Sequence, residues 1–227
     1  MPAAIPPPIT TEKKDWDRFW AREESLKFTQ PSFSKRRIIE IISPFLPKCR
    51  NVLDAGCGTG FFSKYFCDSG LGVVSLDYSD SALGITKRMT QGRSRVVKED
   101  LLSENLAERL GEKFDIIFSD GLFEHFSSAF QDRIIQNFLM LLKAEGIVIT
   151  FVPNRFSPWE LIRPWLMPGI EEKPFVLKGL IDLNERNGLS VVQRGGVNTI
   201  PFRLSPDQIF GRYFGMLLYT IARADSS

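Results

Sequence analysis

Val52-Leu53-Asp54-Ala55-Gly56-Cys57-Gly58-Thr59-Gly60-Phe61 reads as an apolar strand that runs into a glycine-rich turn and then opens a helix. Glycines in such a turn let the chain reverse sharply and let a ligand reach the main chain with no Cβ in the way. A nucleotide-like ligand is implied. The spacing is GxGxG, and the position where the dinucleotide fingerprint GxGxxG needs its third glycine holds Phe61, which argues against NAD and FAD. The GK[ST] ending of a phosphate-binding P-loop is also missing, so ATP and GTP chemistry are disfavoured.

On either side of this turn, short apolar runs alternate with helical stretches, the pattern of a parallel sheet covered on both faces. Strands are expected at 51–55, 72–76, 95–98, 114–119 and 146–152, and helices at 61–69, 82–91, 101–110 and 129–143. Two helices precede the sheet: 12–28, carrying Trp16, Phe19, Trp20 and Leu26, and 33–46, stopped by Pro44 and Pro47. Beyond Val152 the segment 153–175 is too rich in proline for a buried strand and reads as a long loop with short helical pieces. A helix at 176–187 and two more strands, 189–194 and 216–222, complete the chain. Its organisation is then a flexible proline-rich arm (1–11), N-terminal helices (12–50) and one α/β core (51–227) carrying the 153–175 insert.

Composition sets the outer bounds. The chain has 227 residues, 43% of them apolar and 25% charged, which suits one soluble α/β domain. The net charge of +2 supplies no field that would gather nucleic acid. Cys49, Cys57 and Cys67 lack the spacing of a disulfide framework or a zinc site, so no metal is expected and a reducing cytoplasm is the simplest location. No apolar run approaches the roughly 18 to 20 residues that span a bilayer.

The glycine loop closely resembles the first motif of class I S-adenosylmethionine (SAM)-dependent methyltransferases, in which an acidic residue and one further residue precede GxGxG. Asp54, Gly56, Gly58 and Gly60 match it, with Cys57 inside the loop. The resemblance implies a Rossmann-like, seven-stranded, mostly parallel sheet with helices on both faces, with SAM as cofactor and S-adenosylhomocysteine (SAH) as product. Asp77, ending the second strand, would hold both ribose hydroxyls, a bidentate task suited to a carboxylate, and Tyr78 would cover one face of the adenine. Asp100 and the main chain of Leu101 would take the adenine amine and a ring nitrogen. Asp100 also stands where it would cap a helix starting near Leu102.

The stretch Asp120-Gly121-Leu122-Phe123-Glu124-His125-Phe126 is similar to the segment after the fourth strand in the ubiquinone-biosynthesis type of methyltransferase. That resemblance implies that the main chain near Ser119 receives the amino group of SAM and that 123–126 lines the side where the methyl emerges. His125 is the one imidazole in the chain and is suited to remove a proton from an acceptor; the other reading is that it packs the start of the next helix. Glu124 would orient the ring or a polar group of the substrate. The expected acceptor is a small molecule with a hydrophobic body, lipid-like or quinone-like, met by Phe156, Trp159, Leu161, Ile162, Trp165, Leu166 and Met167, with peripheral lipid contact. Those side chains would otherwise pack on the sheet or between subunits. The first helix would close the pocket. The alternative function is a non-catalytic protein on the same fold that binds SAM or SAH as a regulator.

Overall fold

Adjacent residues along the central strands divide between two cores, as the two-residue period of a strand requires. In β1 (Asn51–Ala55) Val52 joins one buried cluster and Leu53 the other, and Ile116 and Ile117 divide in the same way in β4 (Phe114–Asp120). The remaining strands are β2 (Gly72–Asp77), β3 (Arg95–Lys98), β5 (Leu142–Pro153), β6 (Leu189–Val197) and β7 (Leu217–Ala224). The computed structural model describes residues 13–162, 172–202 and 204–225, with side chains from 16 onward. The proline-rich arm 1–11 and Trp165, Leu166 and Met167 lie outside the described residues.

The seven strands form one sheet in the order β3-β2-β1-β4-β5-β7-β6. β1 to β5 pair in parallel, and β7 runs antiparallel to both β5 and β6. The chain order reverses between β1 and β4, and open α/β sheets bind ligands at the carboxyl edge beside such a switch.

One face is covered by α2 (Phe33–Ile42) and α3 (Phe61–Asp68), whose Ile38, Ile42, Phe62 and Phe66 pack with Phe118 and Phe151. There α4 (Asp80–Met89) lies beside α3, and α1 (Lys13–Trp20) against α4. The other face carries α5 (Leu106–Leu110), α6 (Ser128–Leu141) and α7 (Leu177–Glu185), with Ile134, Phe138 and Leu141 of α6 and Leu180 and Leu183 of α7 fully enclosed. Among the described residues no helix is long and apolar enough to cross a membrane.

Several element ends differ from the sequence expectation. The helix expected at 101–110 is only Leu106–Leu110. Asp100 therefore caps a turn rather than a helix, its Oδ1 accepting from Leu102 N at 3.0 Å. Residues 12–28 divide into α1 and a 3-10 turn, Glu23–Thr29. Beyond Ile42 the second helix continues as a 3-10 turn, Ser43–Lys48, because Pro44 and Pro47 cannot donate the bonds an α-helix needs. α6 stops at Leu141, where Leu142 turns extended and begins β5. The last two strands run longer, to Val197 and Ala224. Asn154 and Phe175 form a single parallel bridge that closes the base of the insert.

Candidate functional site

At the carboxyl edge of β1, β2 and β4 the structure encloses a cavity of about 710 Å³, within the usual range of roughly 300–1,000 Å³ for small-molecule sites. Of the residues expected to hold the cofactor, Asp54, Gly56, Cys57, Gly58, Asp77, Tyr78, Asp100 and Leu101 line it, and so do Glu124 and His125. Gly60 and Ser119 do not. Gly60 sits at the start of α3 with φ of 73°, and a Cβ there would lie 2.7 Å from Thr86 Oγ1. Its smallness thus serves the approach of α3 to α4. Ser119 is fully buried behind the wall, and its successors Asp120 and Gly121 face the cavity instead.

The glycine loop is held from below and from the side. Gly56 N and Cys57 N both donate to Leu76 O, at 2.8 and 3.0 Å, and Gly58 N donates to Asp77 Oδ2 at 3.0 Å. The other oxygen of Asp77 accepts from Ser79 N at 3.0 Å. A carboxylate has about four acceptor positions, so Asp77 is oriented by the main chain and retains capacity for a diol. Burial pushes its carboxyl up to about 6, against the pull of those amides. Asp54 is raised further, to about 7, by burial, partly offset by the hydroxyl of Ser63, which donates to Asp54 Oδ2 at 2.5 Å and accepts from Ser75 Oγ at 2.7 Å. Cys57 is a buried thiol pushed well above its ordinary value by desolvation, with Sγ 3.6 Å from Thr86 Oγ1. It is a packed wall atom, not a nucleophile.

Two residues to which the sequence reading gave no role complete this end. Asp120 finishes β4 and lines the cavity, its carboxyl raised to about 6 by desolvation, which the charge of Lys35 opposes. Lys35 lies on α2, whose start is fixed by Ser32 Oγ accepting from Lys35 N. Its ammonium donates to Phe28 O and to Gln30 O and stands 4.2 Å from the centre of the Phe61 ring. Desolvation lowers Lys35 to about 8, with Asp120 acting the other way. Asp120 could have been found by the strand-end rule that found Asp77. No local pattern marks Lys35 beyond the Ser32 cap.

The N-terminal segment covers the loop. Trp20 lies against Gly58, where a Cβ would meet its ring at 3.0 Å, and Thr59 Oγ1 donates to Phe28 O at 3.1 Å. Asp17 Oδ1 accepts from Ser79 Oγ at 2.6 Å, tying α1 to the turn after β2.

At the other end of the cavity, Phe123–His125 forms a 3-10 turn separate from α6. Gln131 of α6 secures it, donating to Phe123 O at 2.9 Å and Phe126 O at 3.0 Å. Asn137 of α6 does the same for the turn after β3, donating to Leu101 O at 2.7 Å and Ser103 O at 3.0 Å. The buried His125 ring stands edge-on to Trp16, 4.7 Å between centres, with Nε2 3.9 Å from Glu124 Oε1. Phe126, Pro153, Trp159 and Met216 bring apolar surface to the same end. Of the insert side chains expected over an acceptor, Trp159 lines the cavity, whereas Phe156, Leu161 and Ile162 are exposed. Glu124, His125 and Glu172 each bring one donor atom to within 4.8 Å of the other two. That set could bridge a divalent cation, and it is a grouping absent from the sequence reading, which expected no metal.

Residues 53–148 match the family described as a methyltransferase domain. The malonyl-(acyl-carrier protein) O-methyltransferase of Enterobacter lignolyticus is 31% identical over 149 residues, 65% of this chain and 56% of the relative. The ubiquinone biosynthesis O-methyltransferase of Coxiella burnetii is 28% identical over 108 residues, 48% of this chain and 45% of the relative. The chain thus spans about half the length of the curated relatives it matches. Among solved structures, a SAM-dependent methyltransferase from Anabaena variabilis superposes with a TM-score of 0.69 at 20% identity, covering 93% of this chain and 94% of that one. The N-methyltransferase NodS of Bradyrhizobium japonicum, in complex with SAH, gives 0.67 at 17% identity, covering 94% and 98%.

Proposed function

We propose that this chain is a class I SAM-dependent methyltransferase that methylates an oxygen of a small molecule with an apolar body by in-line displacement, a reading supported by the methyltransferase-domain match and the similar relatives. The observation that carries this reading is the continuity of the cavity from Asp77 and Asp100 to Glu124, His125 and Trp159. A protein that only bound the cofactor would need no space at that second end. The donor set also suits SAM: a main-chain-oriented carboxylate for the ribose, an acid and an amide at Asp100 and Leu101 for adenine, and Lys35 with Asp120 for the charged amino-acid tail.

When bound, SAM supplies a methyl already activated on a sulfonium, so no nucleophilic side chain is required. The residues orient the acceptor and exclude water. In this reading His125 takes the acceptor's proton, Glu124 orients it, and Trp16 and Trp20 close the site. Oxygen is favoured as acceptor atom by the two O-methyltransferases among the relatives. The three cysteines are free, which suits a reducing cytoplasm.

The test is calorimetric titration with SAH of the wild type and of Asp77→Ala, followed by transfer of labelled methyl from SAM to a panel of phenols and acyl carboxylates. We expect micromolar-range binding, weakened about 100-fold in the variant by loss of two charge-assisted hydrogen bonds, and turnover with at least one acceptor class. Binding without any turnover would leave the regulatory alternative, and no binding would overturn the assignment.

A further inference from the structure

The connection between β6 and β7, 198–216, is fastened at its base yet displays its apolar side chains to solvent. Asp207 accepts from Asn198 N and Thr199 N, both at 2.8 Å, and from Ser205 Oγ at 2.5 Å. Gly211 lies directly on Gly196: a Cβ on either would come 2.0 Å from the carbonyl oxygen of the other. Asn154 Nδ2 adds bonds to Tyr213 O and Gly215 O, at 3.1 and 2.9 Å. With the backbone held from three directions, the outward side chains have no route into the core.

Those side chains are large and apolar. Leu204 is 86% exposed, Ile209 65% and Phe202 64%, while Phe210, Tyr213 and Phe214 are about half exposed, and Phe156, beside Asn154, is also exposed. Folded monomers seldom present so much apolar surface without a partner. Charge narrows the choice of partner. The one acid of the segment, Asp207, is turned inward on its amides, whereas Arg212 is exposed with its guanidinium 4.6 Å from the Tyr213 ring. Aromatic and aliphatic side chains with an outward cation and, among the described residues, no outward carboxylate are what the headgroup and acyl boundary of an anionic bilayer receives.

Position gives the surface a use. The segment ends at Met216 and is followed by Leu217, both lining the cavity, and Phe156 follows the cavity residue Pro153 closely. We infer that residues 200–202 and 204–214, with Phe156, dock this protein on an anionic lipid surface, with the acceptor end of the cavity beside the bilayer. The inference does not depend on which acceptor is methylated.

Flotation of the full chain with vesicles of phosphatidylcholine alone, and of phosphatidylcholine with phosphatidylglycerol, tests it. The wild type is expected to float with the anionic vesicles. Combined Phe202→Ser, Leu204→Ser and Ile209→Ser should lower partitioning on the order of 100-fold, and Arg212→Glu about ten-fold, with SAH affinity and Tm unchanged in both. Should the triple variant fail to fold, Leu204→Ser alone, with Arg212→Glu, carries the test. Wild type that stays in solution with both compositions would overturn the inference, as would variants that float like wild type. A wild-type dimer that the triple variant breaks, with no flotation by either, would instead make the surface an interface between two copies.

Discussion

The two ends of the cavity are built in different ways. At the cofactor end the working groups are strand ends and main chain: Gly58 N is tied to Asp77, Cys57 N to Leu76 O, and Asp100 to the amide of Leu102. At the acceptor end they are side chains from segments remote in sequence, Trp16 of α1 against His125 of the 123–125 turn, with Trp159 and Glu172 of the insert. A backbone-built site is specified by local turn chemistry and changes little when surrounding side chains change. A side-chain-built site is specified only by tertiary packing and is free to diverge. In the proposed function the first kind carries the cofactor and the second the substrate, in keeping with the rule that fold transfers the former better than the latter.

The sharpest separation of the two ends comes from His125→Gln. Turnover of a phenolic acceptor is expected to fall about 10²- to 10⁴-fold, the usual loss of a general base, while SAH binding by calorimetry stays as in the wild type. The same assay with EDTA distinguishes the imidazole from a cation held with Glu124 and Glu172: survival of turnover assigns the proton to His125, and loss restored by magnesium assigns it to the metal. Lys35→Met acts at the opposite end. It is expected to weaken SAH roughly 30-fold through loss of a charge-assisted hydrogen bond and its field, and equal affinities would remove Lys35 from the cofactor site.

Smaller and reciprocal effects are expected on α6. Asn137→Leu strips the donors from Leu101 O and Ser103 O and should weaken SAH about ten-fold with the acceptor KM unchanged. Gln131→Leu should raise the acceptor KM by a similar factor with SAH affinity unchanged. Crossed effects in steady-state kinetics would break the division between the ends.

The mildest effect is on stability. Asp54, Asp77 and Asp120 have folded values of about 7, 6 and 6 against an ordinary 3.8, so between pH 4 and 7 the folded state binds more protons than the unfolded one. Their contribution to stability is therefore lost as pH rises through that window. The ligand-free protein should melt roughly 5 °C lower at pH 8 than at pH 5.5. A rise in Tm over the same interval would show that other groups dominate.

The same division explains what the sequence disclosed. All seven strands were legible because short apolar runs bounded by turn residues are local signals, and the glycine loop, Asp77 and Asp100 were picked out by the motif resemblance at or just beyond the ends of β1, β2 and β3. The turn at 100–105 was misread as helix because its apolar residues, Leu101 and Leu102, match a helical period, whereas its actual hold is Asn137, a long-range bond. Gly60, read with its loop as a ligand-binding position, also packs closely on Thr86 of another helix, a constraint that no local pattern discloses. Lys35 escaped notice since only tertiary packing brings α2 to the cavity.

Gln131 and Asn137 hang the two turns from one helix, six residues apart, which at the rise of an α-helix is about 9 Å along its axis. α6 therefore works as a gauge: the spacing between the turn after β3 and the 123–125 turn is set by a rigid rod, with Lys173 N adding one bond to Glu124 O at 2.9 Å. A single-residue insertion between those amides would turn one of them by about 100° and detach one turn while sparing the other.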